Sequence, residues 1–129
     1  MALAKSSFCG TPQHRLVPPE ALLGPGSCIF EADLHSLRPE ELENVESALR
    51  VAVPAQRRLD GFVAWFECDL GATTLSTAPT APATHWKQTA FYLREPVEGG
   101  CEVSGKVVFE KHESFSRGPW AVLEGKCGC

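Results

Sequence analysis

Gly61-Phe62-Val63-Ala64-Trp65-Phe66-Glu67-Cys68-Asp69-Leu70 places Phe62, Ala64, Phe66, Cys68 and Leu70 at every second position. Side chains two apart in extended backbone share a face, so the stretch predicts a strand with one side on a core. The other side, Val63, Trp65, Glu67 and Asp69, is apolar at one end and acidic at the other. Burial of the larger apolar side chains stabilises by about 1.5–3 kcal/mol each, so residues 61–70 are expected to anchor the core.

The same period extends outward in both directions. Upstream, Val45, Ser47, Leu49, Val51 and Val53 alternate against Glu46 and Arg50, and Pro54 stops that strand. His35-Ser36-Leu37-Arg38-Pro39-Glu40-Glu41-Leu42 reads as a helical turn, with Pro39 at its first position and Glu40 and Glu41 at its positive end. Before it, Cys28, Phe30 and Ala32 alternate with Ile29, Glu31 and Asp33 as a half-buried strand. Gly10, Pro12 and Pro18 make residues 1–18 an irregular lead-in, with irregular chain to about residue 26 and one β-domain over 19–129. Downstream, Thr89, Phe91 and Leu93 alternate with Gln88, Ala90 and Tyr92. Turns are expected at Glu95-Pro96 and Glu98-Gly99-Gly100, followed by a strand through Val103, Gly105, Val107 and Phe109 and a weaker one over 120–126. Six short strands divided by glycine and proline predict an all-β sandwich or barrel.

The chain has 129 residues, enough for one domain with a core, and its 43% hydrophobic and 22% charged content is that of a globular protein. A net charge of −4 gives no basic face, so no nucleic-acid partner is expected. No apolar run is long enough to span a membrane, so no membrane partner is expected either. Residues 1–8 lack a signal-type apolar core, which predicts a cytoplasmic or nuclear protein. The six cysteines (Cys9, Cys28, Cys68, Cys101, Cys127 and Cys129) show no Cys-x-x-Cys spacing and are expected to be reduced. They and the four histidines give no metal spacing, and Ser76 or Ser104 with His85 lacks a nucleophile-elbow turn.

The chemistry concentrates in one loop. Leu75-Ser76-Thr77-Ala78-Pro79, a short gap, then Pro82-Ala83-Thr84-His85-Trp86-Lys87-Gln88 leads into a strand. Loops at the mouth of a β-scaffold are where binding groups gather. The face of an indole attracts a guanidinium through cation–π contact, and a neighbouring imidazole can pair with a carboxylate. Taken singly, His85 would more often face solvent and Trp86 would more often plug a core. His14, His35 and His112 read as surface residues.

The composite of residues 75–79 and 82–88 resembles the threonine-histidine-tryptophan loop of the protein arginine N-methyltransferases. Residues 61–66 are similar to the strand before that loop, and Glu31-Ala32-Asp33-Leu34 with Glu40-Glu41-Leu42 to an earlier strand and helical turn. Phe91-Tyr92-Leu93-Arg94-Glu95-Pro96-Val97 and Gly105-Lys106-Val107 are similar to the strands after it. The resemblance covers roughly residues 19–123. It implies a distorted β-barrel, or jelly-roll-like sandwich, with a short helical turn. This barrel would lack the family's Rossmann-like domain that binds S-adenosylmethionine.

The family transfers a methyl group from S-adenosylmethionine to a guanidino nitrogen of protein arginine. The resemblance therefore implies a substrate-binding barrel, inactive alone, whose Thr84, His85 and Trp86 line the arginine-binding mouth. No catalytic, cofactor-binding or metal-binding residue is expected in these residues, and the cofactor would belong to the parent enzyme. Glu40 and Glu41 match the barrel's own turn and are not the family's paired catalytic glutamates. Implied partners are an arginine-containing protein or peptide, a missing or separate cofactor-binding domain, and a homo- or hetero-oligomer. Two other readings stay open. One is a non-catalytic module docking arginine-rich peptides or a catalytic homologue; the other is a structural β-domain in which Trp86 is merely packed.

Overall fold

Alternating apolar and β-branched residues do form strands here, but the sheets divide the chain differently from the sequence pattern. The protein is described by a computed structural model over residues 2–3, 12–42, 44–111 and 119–128. Its strands are β1 (Ala2–Leu3), β2 (Gln13–Arg15), β3 (Asn44–Ala52), β4 (Arg58–Ala64) and β5 (Glu67–Asp69). They continue with β6 (Thr74–Ser76), β7 (Gln88–Glu98), β8 (Glu102–Lys111) and β9 (Pro119–Gly128). Single 3-10 turns occupy Pro19–Ala21 and Pro39–Leu42. All pairings are antiparallel, in sheets ordered β1-β9-β8-β3, β2-β7-β4 and β5-β6. The three sheets do not close into one cylinder, so the fold is the expected all-β distorted barrel.

The core lies where two ladders share side chains. Val53, Leu59, Leu93, Val97, Cys101 and Val103 form it, with Leu23 and Phe62 packed against it. The chain crosses between the β3–β8 and β4–β7 ladders at residues 53–57 and again at 99–101, and the two crossings are bonded to each other. Gly100 N donates to Val53 O at 2.9 Å, and Val53 N donates to Cys101 O at 2.9 Å. A Cβ at Gly99 would lie 2.3 Å from Pro54 O and 2.4 Å from Ala55 O, so a side chain there would push the two crossings apart.

Several expectations are corrected. Residues 61–70 are not one strand: β4 ends at Ala64, and the chain resumes at Glu67 with a new partner, β6. Only Phe62 of the predicted apolar face reaches the core cluster; Phe66 is 45% and Leu70 61% exposed. The anchor is the corner instead. Residues 28–33 form no strand, and Asp33 starts a turn in which its carboxylate accepts from His35 N at 2.9 Å. The lead-in supplies two short strands, β1 on β9 and β2 on β7. Glu95 and Pro96 lie inside β7, not in a turn, at a register shift opposite Leu59 and Gly61. Proline needs no ladder partner there, as is usual at a bulge. Cys28 and Cys68 are free thiols, but Cys101 is disulfide-bonded, so the cysteines are not all reduced.

At the register shift the backbones approach closely, and a Cβ on Gly61 would sit 2.3 Å from Phe91 O. Gly61→Ala should therefore destabilise the protein by about 1–3 kcal/mol in urea unfolding. Leu70→Ser should stay within about 0.5 kcal/mol. Equal losses for the two would contradict the division of residues 61–70 between two sheets.

Candidate functional site

The loop of residues 77–87 joins β6 to β7 and is built from two turns. Ala81 N donates to Ala78 O at 3.0 Å, closing the first; Lys87 N donates to Thr84 O at 3.1 Å, closing the second. Lys87 takes φ +55°, a left-handed conformation that non-glycine residues adopt when their surroundings fix it. Thr84, His85 and Trp86 therefore sit on one tight turn at the start of β7.

The side chains on that turn are ordered by ring contacts. The Trp86 indole and the Phe66 ring meet in a T-shaped contact, 5.8 Å between centroids and 76° between planes. The His85 ring lies over it at 4.0 Å and 34°. Offset and edge-on arrangements like these are the favoured geometries for aromatic pairs. Even so, Trp86 remains 48% exposed. His85 is exposed, and among the described residues it has no acidic partner. The Thr84 hydroxyl, Oγ1, is buried and has no hydrogen-bond partner.

The root of the loop is its most buried part. Thr77 is 1% and Gln88 4% exposed. Thr77 N donates to Phe66 O at 2.9 Å, continuing the β5–β6 ladder by one pair. The return bond is altered: Phe66 N donates at 3.0 Å to the Thr77 hydroxyl, which lies 3.0 Å from Phe66 O. The Thr77 carbonyl accepts instead from Gln88 Nε2 at 2.7 Å, and Gln88 Oε1 accepts from Val17 N at 2.8 Å. Ser76 Oγ, within reach of Glu67 at 3.2 Å, accepts from Ala78 N at 3.2 Å.

The structure places Thr84, His85 and Trp86 on one turn. Gln88 begins the strand, but Lys87 does not. Sequence reading passed over Phe66 as a core residue and Gln88 as a strand residue. Their roles depend on pairing across the chain, and a single sequence carries no mark of it. His14 and His35 are exposed, as read, while His112 lies outside the described residues. Among the described residues no three His, Cys, Asp or Glu side chains could hold a metal. Arg50 beside Glu102 and Arg58 beside Asp60 have raised pKa values through hydrogen bonding and charge, but these exposed pairs lie across β3 and β8 and on β4.

The open-edged antiparallel fold is that of the arginine methyltransferase C-terminal barrel. The chain belongs to that family: the family model described as "Arginine methyltransferase oligomerization subdomain" matches residues 1–122. It is 34% identical over 122 residues to protein arginine N-methyltransferase 2 of Xenopus tropicalis, covering 88% of this chain and 28% of that protein. It is 31% identical over 126 residues to the same-named protein of Homo sapiens, covering 90% and 29%. A crystal structure of PRMT6 superposes with TM-score 0.73 and 29% identity, over 90% of this chain and 41% of that one. A PRMT6-SAH crystal structure gives 0.71 and 29%, over 88% and 40%. The chain spans under a third of the length of these curated relatives.

A buried hydroxyl without a partner costs stability on the order of 1–3 kcal/mol. Thr84→Val keeps the shape and removes that group. Its unfolding free energy in urea should rise by up to about 1 kcal/mol. A fall of more than about 1 kcal/mol would mean that the hydroxyl is satisfied in solution.

Proposed function

We propose that this chain is the substrate-binding barrel of a protein arginine N-methyltransferase. In this reading Thr84, His85 and Trp86 form the rim that receives the substrate arginine. The observation that supports it is the Trp86 indole: half-exposed, yet locked between Phe66 and His85. A pre-ordered indole binds a cation without first losing side-chain freedom. The exposed His85 imidazole is free to meet a carboxylate brought by another domain. The parent reaction moves a methyl group from S-adenosylmethionine to a guanidino nitrogen. The described residues do not fit that cofactor: every strand pair is antiparallel, so none forms the glycine-rich strand-to-helix turn of a nucleotide-type fold.

The test joins this chain, in place of the matching C-terminal part, to the preceding region of the Xenopus tropicalis relative. The joined enzyme should methylate an arginine peptide. Trp86→Ala should raise the peptide KM about tenfold or more, as loss of one desolvated cation–π contact would. Unchanged KM and turnover would favour a merely packed tryptophan. By themselves the 129 residues should show no micromolar binding of S-adenosylmethionine by calorimetry, and such binding would refute the division of labour.

The family's description as an oligomerization subdomain supports self-association. Leu34 and Leu42, on either side of the exposed turn before β3, are exposed apolar residues of the kind an interface covers. Light scattering of the chain should therefore give a dimer or larger species. A clean monomer would speak against that.

A further inference from the structure

We infer that Thr77 and Gln88 are positioning residues, which set the pose of the 84–87 turn and couple it to the segment arriving from the N-terminal side. The inference deepens the proposed function, because the turn so held is the proposed arginine rim.

Thr77 exchanges one ladder hydrogen bond for a side-chain one. In a regular antiparallel pair, Phe66 N would donate to the Thr77 carbonyl. Here the Thr77 hydroxyl takes that donor, and Thr77 N still donates to Phe66 O. The hydroxyl therefore completes the ladder in place of the carbonyl. That releases the carbonyl to accept from Gln88 Nε2 at 2.7 Å. Only a residue carrying a short hydroxyl can do both. Valine would remove the acceptor of Phe66 N, so the Thr77 carbonyl would have to shift to serve Phe66 N as well as the Gln88 amide.

The contacts then close on themselves. Gln88 holds Thr77, Thr77 holds the Phe66 backbone on both sides, and the Phe66 ring meets Trp86, two residues before Gln88. The turn is thus gripped at its root by hydrogen bonds and at its tip by a ring contact. Both gripping residues are buried, so these bonds are shielded from water and an unmade one is costly.

Gln88 also reaches outward. Its Oε1 accepts from Val17 N, two residues after β2. β2 itself pairs with β7 at Gln13–Ala90, His14–Thr89 and Arg15–Gln88, and Arg15 donates to the Tyr92 hydroxyl with its guanidinium 5.8 Å from that ring's centroid. One amide side chain thus joins the incoming segment to the rim: its NH2 holds the loop and its oxygen holds the segment. A displacement of residues 13–17 would pull on the carboxamide that fixes Thr77.

The test uses the 129-residue chain labelled with 5-fluorotryptophan, the Trp86 signal being assigned with Trp86→Phe. Thr77→Val should move the Trp86 fluorine resonance and speed exchange of the Lys87 amide about tenfold, while Thr77→Ser should keep both near the original values. Gln88→Glu retains the acceptor for Val17 N but loses the donor to Thr77. It should loosen the turn and leave the Val17 amide protected. Gln88→Met loses both bonds, and Val17 exchange should also rise about tenfold. Should the Gln88 variants fail to fold, the Thr77 pair decides alone. A folded Thr77→Val chain with unchanged Trp86 resonance and Lys87 exchange would overturn the inference. If Thr77→Val moves the turn while Trp86→Ala leaves the peptide KM of the joined enzyme unchanged, the positioning stands and the arginine-rim reading falls.

Discussion

The whole arrangement depends on the corner where the chain changes sheets twice. Val53 exchanges backbone hydrogen bonds with Gly100 and Cys101, and Gly99 lies against the carbonyls of Pro54 and Ala55. Backbone groups at such crossings leave one ladder before joining another, so without mutual pairing they would be buried and unsatisfied. Bonding one crossing to the other solves this for both. The side chains that follow, Leu59, Val97 and Val103, then converge beneath the corner with Val53 and Cys101. The core is therefore a consequence of the double crossing as much as of the strands' apolar faces.

From that corner the β4–β7 ladder runs to the candidate site. Arg58 pairs with Glu98 at the corner end, and Ala64 pairs with Thr89 at the other. The register shift between Leu59 and Gly61 changes which face of β7 is buried: Gln88 and Ala90 are buried at one end, Leu93 and Val97 at the other. That change of phase turns Gln88 inward. A regular strand would alternate from Leu93 back to Phe91 and Thr89 and place Gln88 in solvent. The irregularity that admits Pro96 without a ladder partner is thus what makes a buried carboxamide available beneath the loop.

Much of this was legible in the sequence, and the failures share a cause. The strands at 45–53 and 103–107 follow the two-residue period because each keeps one face more buried than the other. The loop was legible because proline, threonine, histidine and tryptophan in that order have little use in a ladder. Residues 61–70 misled because the alternation continues through a change of partner: Phe62 serves the core, while Phe66 serves Trp86. Residues 28–33 misled because Asp33 offers its carboxylate to a local amide, and a turn then competes with pairing. β2 was hidden because its three exposed residues are ordered by the edge of β7 rather than by burial.

The loop before β7 is built against local preference. Within residues 84–87 one hydroxyl is buried unpaired, one indole is half-exposed and one lysine is left-handed. The hydroxyl and the lysine backbone each cost on the order of 1–3 kcal/mol, against about 5–15 kcal/mol of net stability for a typical domain. A loop selected only for stability would place glycine or asparagine at 87 and an apolar residue at 84. These costs persist because the buried bonds of Thr77 and Gln88 over-determine the turn. Such local disagreement between preference and structure is what the proposed arginine rim would require. It also explains why a substitution at the buried root, far from any ligand, should matter as much as one at the exposed indole.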